Sequence, residues 1–383
     1  MKLFGIKIER DVHRIQIARA LHSVALSFVG IYVPAFLLTH GFSLTDTILF
    51  FVVFHVTGLI AGLTICQWSM RRIGLIQTIR FSFPLQIFYF ILLNLLSVFN
   101  IPWFLIAGIG GMANFIYWMP VNILLVKHAD KDNLGSDLGF FFALPKIFGI
   151  VGPLLSALLI PLFGFWPMFA ISGFGLSLSL LPLYGINKDN IRFEFKFLQA
   201  WRELSKRKLL FFLEILDNII EESEWFWGIF VFLSIKSLSV PGIVGSLESL
   251  GGALFAVVVG KIANKHASKL VPIASVMLVV AWAMRFLVTD PVVAYATSFV
   301  ASFLMTFFLV SYFGMIYKKI KGDREESFLI LREIPTVIGR LIVFGAILLV
   351  VADPKWLFIL PIITIAILLI VLFVYRKRFK MVA

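Results

Sequence analysis

Five carboxylates stand close together in an otherwise apolar part of the chain: Glu214, Asp217, Glu221, Glu222 and Glu224. In an α-helix, where each residue turns by about 100°, all of them except Glu222 share one face about 80° wide. Asn218 lies at the edge of that face, and Glu222 points toward another side. Carboxylates that are crowded and partly removed from water can exchange protons or hold a cation. The spacing therefore predicts a proton or cation site on one face of a helix.

The acidic stretch has a second interpretation, as a loop outside a membrane. A charged side chain at mid-membrane costs about 2.5–3.5 kcal/mol on insertion scales, so several on one helix require a wet or paired environment. Against the loop, the apolar flanks 209–213 and 225–235 are each too short to span a membrane alone. We therefore expect a membrane helix over 209–235, with its acidic face toward a cavity and Glu221 near mid-membrane.

Other ionisable residues also interrupt apolar stretches, and inside a membrane such positions are usually functional. They are His22, His55, Lys146, Glu248, Arg332, Glu333 and Arg340. Glu333 and Arg340, seven residues apart, share a helix face. His22 could titrate near neutral pH, although a lone histidine is as often a hydrogen-bonding strut. Arg285, near the end of its apolar stretch, is expected to extend toward the membrane surface.

A group of polar and aromatic residues occupies another apolar stretch: Asn114, Tyr117, Trp118 and Asn122. Hydrogen-bonding groups beside aromatic rings suit a solute that has both polar and apolar faces. Aromatic residues near helix ends also anchor helices at the membrane interface, and this alternative stays open.

The composition indicates which elements carry these residues. Of the 383 residues, 60% are hydrophobic and 14% are charged, and the mean hydropathy is +0.99. Ordinary soluble domains do not reach such values. Because a spanning helix needs roughly 20 apolar residues, the apolar runs predict about twelve spans. They cover 15–40, 44–70, 75–99, 101–126, 137–163, 165–185, 209–235, 240–260, 270–288, 292–316, 328–351 and 356–375.

Lysine and arginine residues concentrate in every second connection, beginning at the N-terminal segment and ending at the C-terminal one. Since basic connections remain in the cytoplasm, both termini are predicted to be cytoplasmic, which requires an even number of spans. The net charge of +13 follows from this topology, and no nucleic-acid partner is expected. The first apolar run lacks a small-residue cleavage site and is expected to be retained.

The chain divides into two related halves around one long polar interruption, 186–208, with six predicted spans on each side. A shift of about 190 residues places Pro145 and Gly149 over Pro335 and Gly339, in the fifth span of each half. A duplicated six-helix unit predicts such a match. The expected domains are 1–185 and 209–383, joined by a cytoplasmic linker over 186–208 that includes a short helix lying on the membrane.

With about twelve spans in two related halves, the chain resembles the major facilitator superfamily of secondary transporters over essentially its whole length. That superfamily carries a loop motif between the second and third helices of each half. In the second half, Gly260, Asn264 and Lys265 occupy motif positions, with asparagine in place of the acid. The first half keeps Arg71 and Arg72 but lacks the opening glycine and the acidic residue.

The resemblance implies an all-α membrane protein with two pseudo-symmetric six-helix bundles around a central cavity, lined by the first, fourth, seventh and tenth helices. In the resembled fold, the fifth and eighth helices flank each other between the halves, as do the second and eleventh. Lys146 with Glu248, and His55 with Arg340, are therefore candidate gating pairs, although each residue could equally satisfy a neighbour on its own side. The segment 149–156 resembles a degenerate Gly-Pro motif of superfamily antiporters, but such residues more often serve close packing and a kink.

The function expected from the resemblance and the acidic face is transport of a small-molecule solute by alternating access, coupled to a proton or another cation. Two alternatives stay open: a membrane-embedded enzyme and a transport-inactive sensor or scaffold. No cofactor or metal is expected, because the sole cysteine, Cys66, belongs to no Cys/His cluster. We expect a monomer surrounded by the lipid of a plasma or inner membrane.

Overall fold

The structure is a computed structural model of the chain. It describes residues 2–3, 6–7, 10–128, 143, 145–184, 186, 197–288, 290–320 and 325–376. Over these residues the fold is helical apart from two short antiparallel strands, Lys2–Leu3 (β1) and Ile6–Lys7 (β2). The predicted all-α membrane architecture is confirmed.

The described helices of the first half correspond to its six predicted spans, although 137–142 and 144, in the fifth span, lie outside the described residues. Three of those spans are interrupted: the first at 28–31, the second by a π-helical turn, Gly62–Cys66, and the fifth at Ile150. The helices are α1 (Arg10–Ser27), α2 (Tyr32–Thr39), α3 (Leu44–Ala61), α4 (Gln67–Ile73), α5 (Leu75–Leu96), α6 (Trp103–His128), α7 (Val151–Phe163) and α8 (Trp166–Tyr184).

A short helix in the expected linker precedes the second half, although the linker residues 187–196 lie outside the described residues. A 3₁₀ turn, Pro354–Phe358, precedes the last helix. The helices are α9 (Phe197–Lys206), α10 (Lys208–Ile235), α11 (Val240–Arg285), α12 (Pro291–Ile320), α13 (Glu325–Leu331), α14 (Glu333–Leu349) and α15 (Ile359–Val374).

The helix α11 joins two predicted spans, 240–260 and 270–288, in one helical stretch of 46 residues. A straight helix from Gly251 to Arg285 would extend about 51 Å. Gly251, however, packs against the backbone of Phe299, and the partly helical chain from Arg285 to Phe299 reaches only about 35 Å. The chain must therefore bend back within α11, so that two separate membrane crossings remain.

Nine helical segments among the described residues are long and apolar enough to cross a membrane. The other three predicted spans, 209–235, 240–260 and 328–351, do not meet this criterion because of their charge or their length. The helix α10 carries the acidic residues, α14 has 17 residues, and Val240–Ala256 is apolar but shorter than a full span. The prediction of about twelve spans thus corresponds to nine apolar segments and three that are charged or short.

Small residues bring the two halves into close contact at α7 and α11. A Cβ atom at Gly242 would overlap both the Tyr32 hydroxyl and the Pro153 carbonyl oxygen. Nearby, the Ser246 hydroxyl donates to the Ile150 carbonyl oxygen at 2.7 Å. Close approach through small residues is a general way to pack membrane helices. These contacts favour the packing interpretation of the segment 149–156 over a transport motif.

The charge pattern and the helix order predict which ends of the helices face the cytoplasm. In a Cys66→Ser background, Asn100→Cys should react with a membrane-impermeant maleimide applied to intact cells. Ser205→Cys should react only after permeabilisation, because the basic residues around it place it inside. Both positions are exposed in the structure. Labelling of Ser205→Cys in intact cells would contradict the twelve-span topology.

Candidate functional site

The acidic stretch lies within a continuous helix, α10, as its spacing predicts. The alternative interpretation of this stretch as a loop is therefore wrong. Glu214, Asp217 and Glu222 are buried, whereas Glu221 and Glu224 are half-buried. The five carboxylates differ in what balances their charge.

Glu214 is paired with an arginine from the far end of the chain. Its Oε2 atom accepts from Nε of Arg332 at 2.6 Å, and the Arg332 guanidinium also lies over the ring of Phe313, 4.9 Å from its centroid. A charge-assisted bond of this length stabilises both ions away from water. Arg332 is thus the counter-charge for the first residue of the acidic face.

Asp217 is fully buried, and neither carboxylate oxygen has a hydrogen-bond partner within the described part of the chain. Its electrostatic neighbours are Glu221, Glu214 and Arg332, and it also acts on the buried Tyr312 of α12. The hydroxyl of Tyr312 is likewise buried without a partner among the described residues. Polar groups in this condition require a ligand, water or a proton.

Asn218, predicted at the edge of the acidic face, uses its amide within α10. Its Nδ2 atom donates to the Glu214 carbonyl oxygen at 2.8 Å. A Cβ atom at Gly339 of α14 would crowd Asn218 and the Ile215 carbonyl oxygen, so α10 and α14 are tightly packed there. This contact places the first half of α14, with Arg340 and the preceding Arg332, beside α10.

Glu222 points away from the acidic face toward a neighbouring helix, as the spacing predicts. Its Oε2 atom lies 3.2 Å from Nε of Arg340, and its Oε1 atom lies 3.9 Å from Nε2 of His55 in the first half. Nη1 of Arg340 is 3.1 Å from Nδ1 of His55. Because arginine can only donate, Nδ1 accepts and the ring proton sits on Nε2, facing Glu222. The structure thus brings His55 and Arg340 together across the halves.

Glu224 forms a bidentate pair with Arg285, with distances of 2.6 and 2.7 Å. The guanidinium lies between the rings of Trp227 and Trp282, 4.5 and 4.4 Å from their centroids. Arg285 is buried, so the expectation that it extends to the membrane surface is wrong. The physical reason is that a carboxylate and two indole faces replace the water that an exposed guanidinium would keep.

Lys146 and Glu248 lie near each other without a direct ion pair. The Lys146 ammonium donates to the Ser302 hydroxyl at 3.2 Å, and that hydroxyl donates to the Glu248 carbonyl oxygen at 2.6 Å. A Cβ atom at Gly252, one turn beyond Glu248, would overlap the Lys146 side chain. Ser302 of α12 therefore links the two predicted partners across the halves, and their gating role stays a prediction.

In the first half, His22 is buried against α5 and α6. Its Nε2 atom is 2.9 Å from Oε1 of Gln86, and its ring stacks on Tyr117 with centroids 3.7 Å apart. Arg19, a buried residue that the sequence analysis missed, lies one turn earlier with its guanidinium 6.0 Å from the Trp118 ring centroid. Its signal in the sequence was a basic residue within an apolar run.

The remaining predicted residues are less closely involved. Asn114 and Asn122 are half-buried on α6, and Glu333 is half-buried at the start of α14 near Arg332 and Arg340. Of the loop motif, Arg71 and Arg72 are exposed in the last turn of α4. Gly260, Asn264 and Lys265 fall within α11, but their side chains lie outside the described part.

No protein-family model and no curated protein matches the chain. Its fold is similar to two crystal structures of a bacterial homologue of the iron transporter ferroportin, both outward-facing. The first structure has a TM-score of 0.71 at 12% identity, and the second, from a crystal soaked with iron, has a TM-score of 0.69 at 14% identity. Each alignment covers 97% of this chain and 100% of the homologue's chain.

A third similar structure is the Escherichia coli fucose:proton symporter, with a TM-score of 0.68 at 10% identity. It covers 94% of this chain and 97% of that chain. Identities this low show the fold alone, so the chain shares its fold with these proteins, in agreement with the fold that the sequence resemblance implied.

Replacing Arg285 tests the buried ion pair. Arg285→Gln leaves the Glu224 carboxylate without its counter-charge and removes the cation between two tryptophans. Breaking a buried pair from one side costs about 3–5 kcal/mol, and because Glu224 is 18% exposed we expect the lower end, about 3 kcal/mol. Thermal unfolding of the purified protein in detergent measures the loss.

The control is Lys355→Gln, which breaks an exposed 3.1 Å pair with Asp353 and should change stability by less than about 1 kcal/mol. Equal losses in the two variants would contradict the assignment.

Charge reversal tests the link between Lys146 and Glu248. Lys146→Glu and Glu248→Lys should each lower the melting temperature, because each places two like charges near Ser302. The double reversal should recover more than half of the combined loss, since coupled residues depart from additivity. A double variant whose loss equals the sum of the two single losses would show that the residues are independent.

Proposed function

We propose that this protein is a secondary active transporter that moves a small solute across a membrane by alternating access and is coupled to protons. The observation that carries the proposal is the uneven balance of charge on α10. Three of its carboxylates, Glu214, Glu222 and Glu224, face an arginine within 4 Å. Asp217 and Glu221 have no such partner within the described part of the chain. Intramembrane charges of this kind mark ion and substrate pathways.

Glu221 is the proposed proton site. Its electrostatic neighbours carry both signs of charge. Three are cations, Arg340, Arg332 and Lys146, and two are carboxylates, Glu214 and Asp217. Nearby cations favour the ionised carboxylate, and nearby anions favour its protonated form. Lys146 belongs to the first half and Glu221 to the second, so movement of the halves changes the balance. Protonation of Glu221 and rearrangement of the halves are thereby coupled.

The solute site proposed here lies between the acidic face and the aromatic group of the first half. Tyr117, Trp118, Asn114 and Asn122 supply rings and amides on α6, and His22 supplies a ring nitrogen on α1. The resemblance to the superfamily implies that these helices line a central cavity opposite α10 and α12. Such a mixture suits a solute with both polar and apolar groups.

The structural comparisons support the proposal at the level of fold. The three similar structures are of transporters, and one of them is a symporter that couples fucose to protons. The halves proposed as moving bodies are 1–185 and 209–383. We further propose that both termini are cytoplasmic, that the chain is embedded as a monomer in a plasma or inner membrane, and that lipid surrounds it.

Replacing Glu221 with glutamine tests the coupling. Glu221→Gln keeps shape and hydrogen bonding but removes the titration. The solute is first selected by a thermal-shift screen of a solute library, because a bound ligand raises the melting temperature. In proteoliposomes, pH-driven accumulation of that solute should fall to the equilibrium level, whereas exchange of labelled for unlabelled solute should continue.

The control for this test is Asp353→Asn. This change removes an exposed carboxylate that lies outside α10, so it should leave accumulation unchanged. Full pH-driven uptake by Glu221→Gln would remove Glu221 from the mechanism. Lower stability with intact coupling would assign it a structural role instead.

A further inference from the structure

The two halves meet in a polar contact between three helices. His55 of α3 belongs to the first half, and Glu222 of α10 and Arg340 of α14 belong to the second. Nη1 of Arg340 lies 3.1 Å from Nδ1 of His55, and its Nε atom lies 3.2 Å from Oε2 of Glu222. His55 and Glu222 are both buried. We call these three residues the latch, because Arg340 joins a carboxylate of one half to an imidazole of the other.

An aromatic layer covers the latch on the side that the predicted topology places outside. Phe51 precedes His55 by four residues in α3, whereas Trp225 and Phe344 follow the latch residues of α10 and α14 by three and four. Since α3 is predicted to run inward and the other two helices outward, all three rings lie on the outer side. The ring centroid of Trp225 is 4.5 Å from that of Phe51 and 5.9 Å from that of Phe344. The latch thus belongs to a contact that closes the outer side.

Arg340 also connects the latch to Glu221, the proposed proton site. Glu221 directly precedes Glu222 in α10, so their Cα atoms lie about 3.8 Å apart, and Arg340 is the leading cationic neighbour of Glu221. The backbone of α14 is held close to α10 here, because a Cβ atom at Gly339 would lie 2.7 Å from the Ile215 carbonyl oxygen. One guanidinium therefore serves two adjacent carboxylates.

The interactions of Arg340 differ in strength. It forms an ion pair with Glu222, whereas the neutral Nδ1 atom of His55 only accepts a hydrogen bond, and a carboxylate attracts a guanidinium more strongly than a neutral acceptor does. Nε of Arg340 makes no hydrogen bond within the described part of the chain, and 23% of the side chain is exposed. If a second carboxylate attracts the guanidinium, the bond to His55 is the first to be lost. That bond is its contact with the first half.

We propose that Arg340 couples protonation of Glu221 to closure of the outer side. While Glu221 is protonated, Arg340 stays with Glu222 and His55, and the latch is closed. When Glu221 loses its proton, its charge attracts Arg340 away from His55, and the population shifts toward an open outer side. The inference rests on the proposed proton coupling at Glu221 and names the residue that transmits it.

Other charged groups surround this site and are engaged elsewhere or lie at longer range. Arg332 is paired with Glu214 at 2.6 Å. Lys146 donates to Ser302 at 3.2 Å, so it is held on the far side of Glu221 from the latch residues. The groups that face Glu221 or Arg340 from the helices around them are Glu214 and Asp217 of α10, Arg332 and Glu333 at the start of α14, and Lys146 before α7.

The sign of the pH dependence separates Glu221 from the latch residues themselves. A second proton on His55 would occupy Nδ1, and a proton on Glu222 would remove the charge that holds the guanidinium. Both events would open the latch as the pH falls. Loss of the proton from Glu221 opens it as the pH rises. Opening at rising pH therefore excludes His55 and Glu222, and Glu221→Gln then separates Glu221 from Asp217 and Glu333.

Pulsed electron paramagnetic resonance between two spin labels tests the proposal on the full-length protein in lipid nanodiscs, without solute. In a Cys66→Ser background the labels are placed at Thr45→Cys in α3 and Leu349→Cys at the end of α14, both exposed positions near the predicted outer ends. The ratio of long to short distances should rise with pH. The slope for a single proton is at most about tenfold per pH unit.

Three variants locate the switch. Glu221→Gln should show the short distance at every pH. His55→Phe keeps a ring beside Phe344 but removes the acceptor, so it should raise the ratio of long to short distances about tenfold even at low pH. His55→Asn supplies an amide oxygen as acceptor and cannot titrate, so it should keep the pH dependence of the wild type.

The matched control is Asp290→Asn, which removes a carboxylate outside the site while asparagine can still cap α12. It should behave as the wild type. The His55 variants test the link from the other half, so the proposal stays testable if Glu221→Gln does not fold.

The proposal is overturned if the long distance becomes more populated as the pH falls, or if Glu221→Gln keeps the pH dependence of the wild type. Failure of the proposed function looks different. In that case the pH-dependent change in distance would persist in a protein that shows no pH-driven uptake in proteoliposomes. Conversely, loss of pH-driven uptake in Glu221→Gln with an unchanged pH-dependent distance would support the function and reject the role of Arg340.

Discussion

A charged side chain in the hydrocarbon core of a membrane costs about 2.5–3.5 kcal/mol unless it is paired or wet, and this constraint organises the second half of the molecule. The helix α10 carries five carboxylates, and arginines from separate positions meet three of them: Arg285, Arg332 and Arg340. Arg332 and Arg340 tie α10 to α14 and the residue before it, and Arg285 ties α10 to the end of α11. The carboxylates therefore act as contacts that fix the bundle, in addition to any role in transport.

The proposed proton coupling is assigned to the carboxylates of α10 that have no paired cation. Asp217 and Glu221 have no direct counter-ion within the described part of the chain, and the nearest cations, Arg332, Arg340 and Lys146, act at longer range. Lys146 reaches them from the first half, which is held to the second through Ser302. A change in the separation of the halves thus alters the electrostatic balance at the acidic face. This links a local protonation to a motion of the whole fold.

Spacing and charge were sufficient to predict the acidic helix and the direction of Glu222 toward a neighbouring helix, whereas the meeting of His55 with Arg340 was predicted from the resembled fold. They failed for Arg285, because a helical period does not reveal that Trp227 and Trp282 approach from two helices and enclose a guanidinium. They also missed the continuous helical stretch of α11, since the basic residues between its two apolar runs suggested a loop. Contacts between distant helices depend on tertiary packing, and a single sequence does not specify them directly.

The central claim is that Glu221 gains and loses a proton inside the folded protein. Infrared difference spectroscopy of the protein in lipid, recorded across a pH titration, detects the carbonyl stretch of a protonated carboxylic acid directly. The account predicts a pH-dependent carboxylic-acid signal in the wild type that is lost in Glu221→Gln, while the amide bands keep their helical form. A signal of unchanged intensity in Glu221→Gln would contradict it.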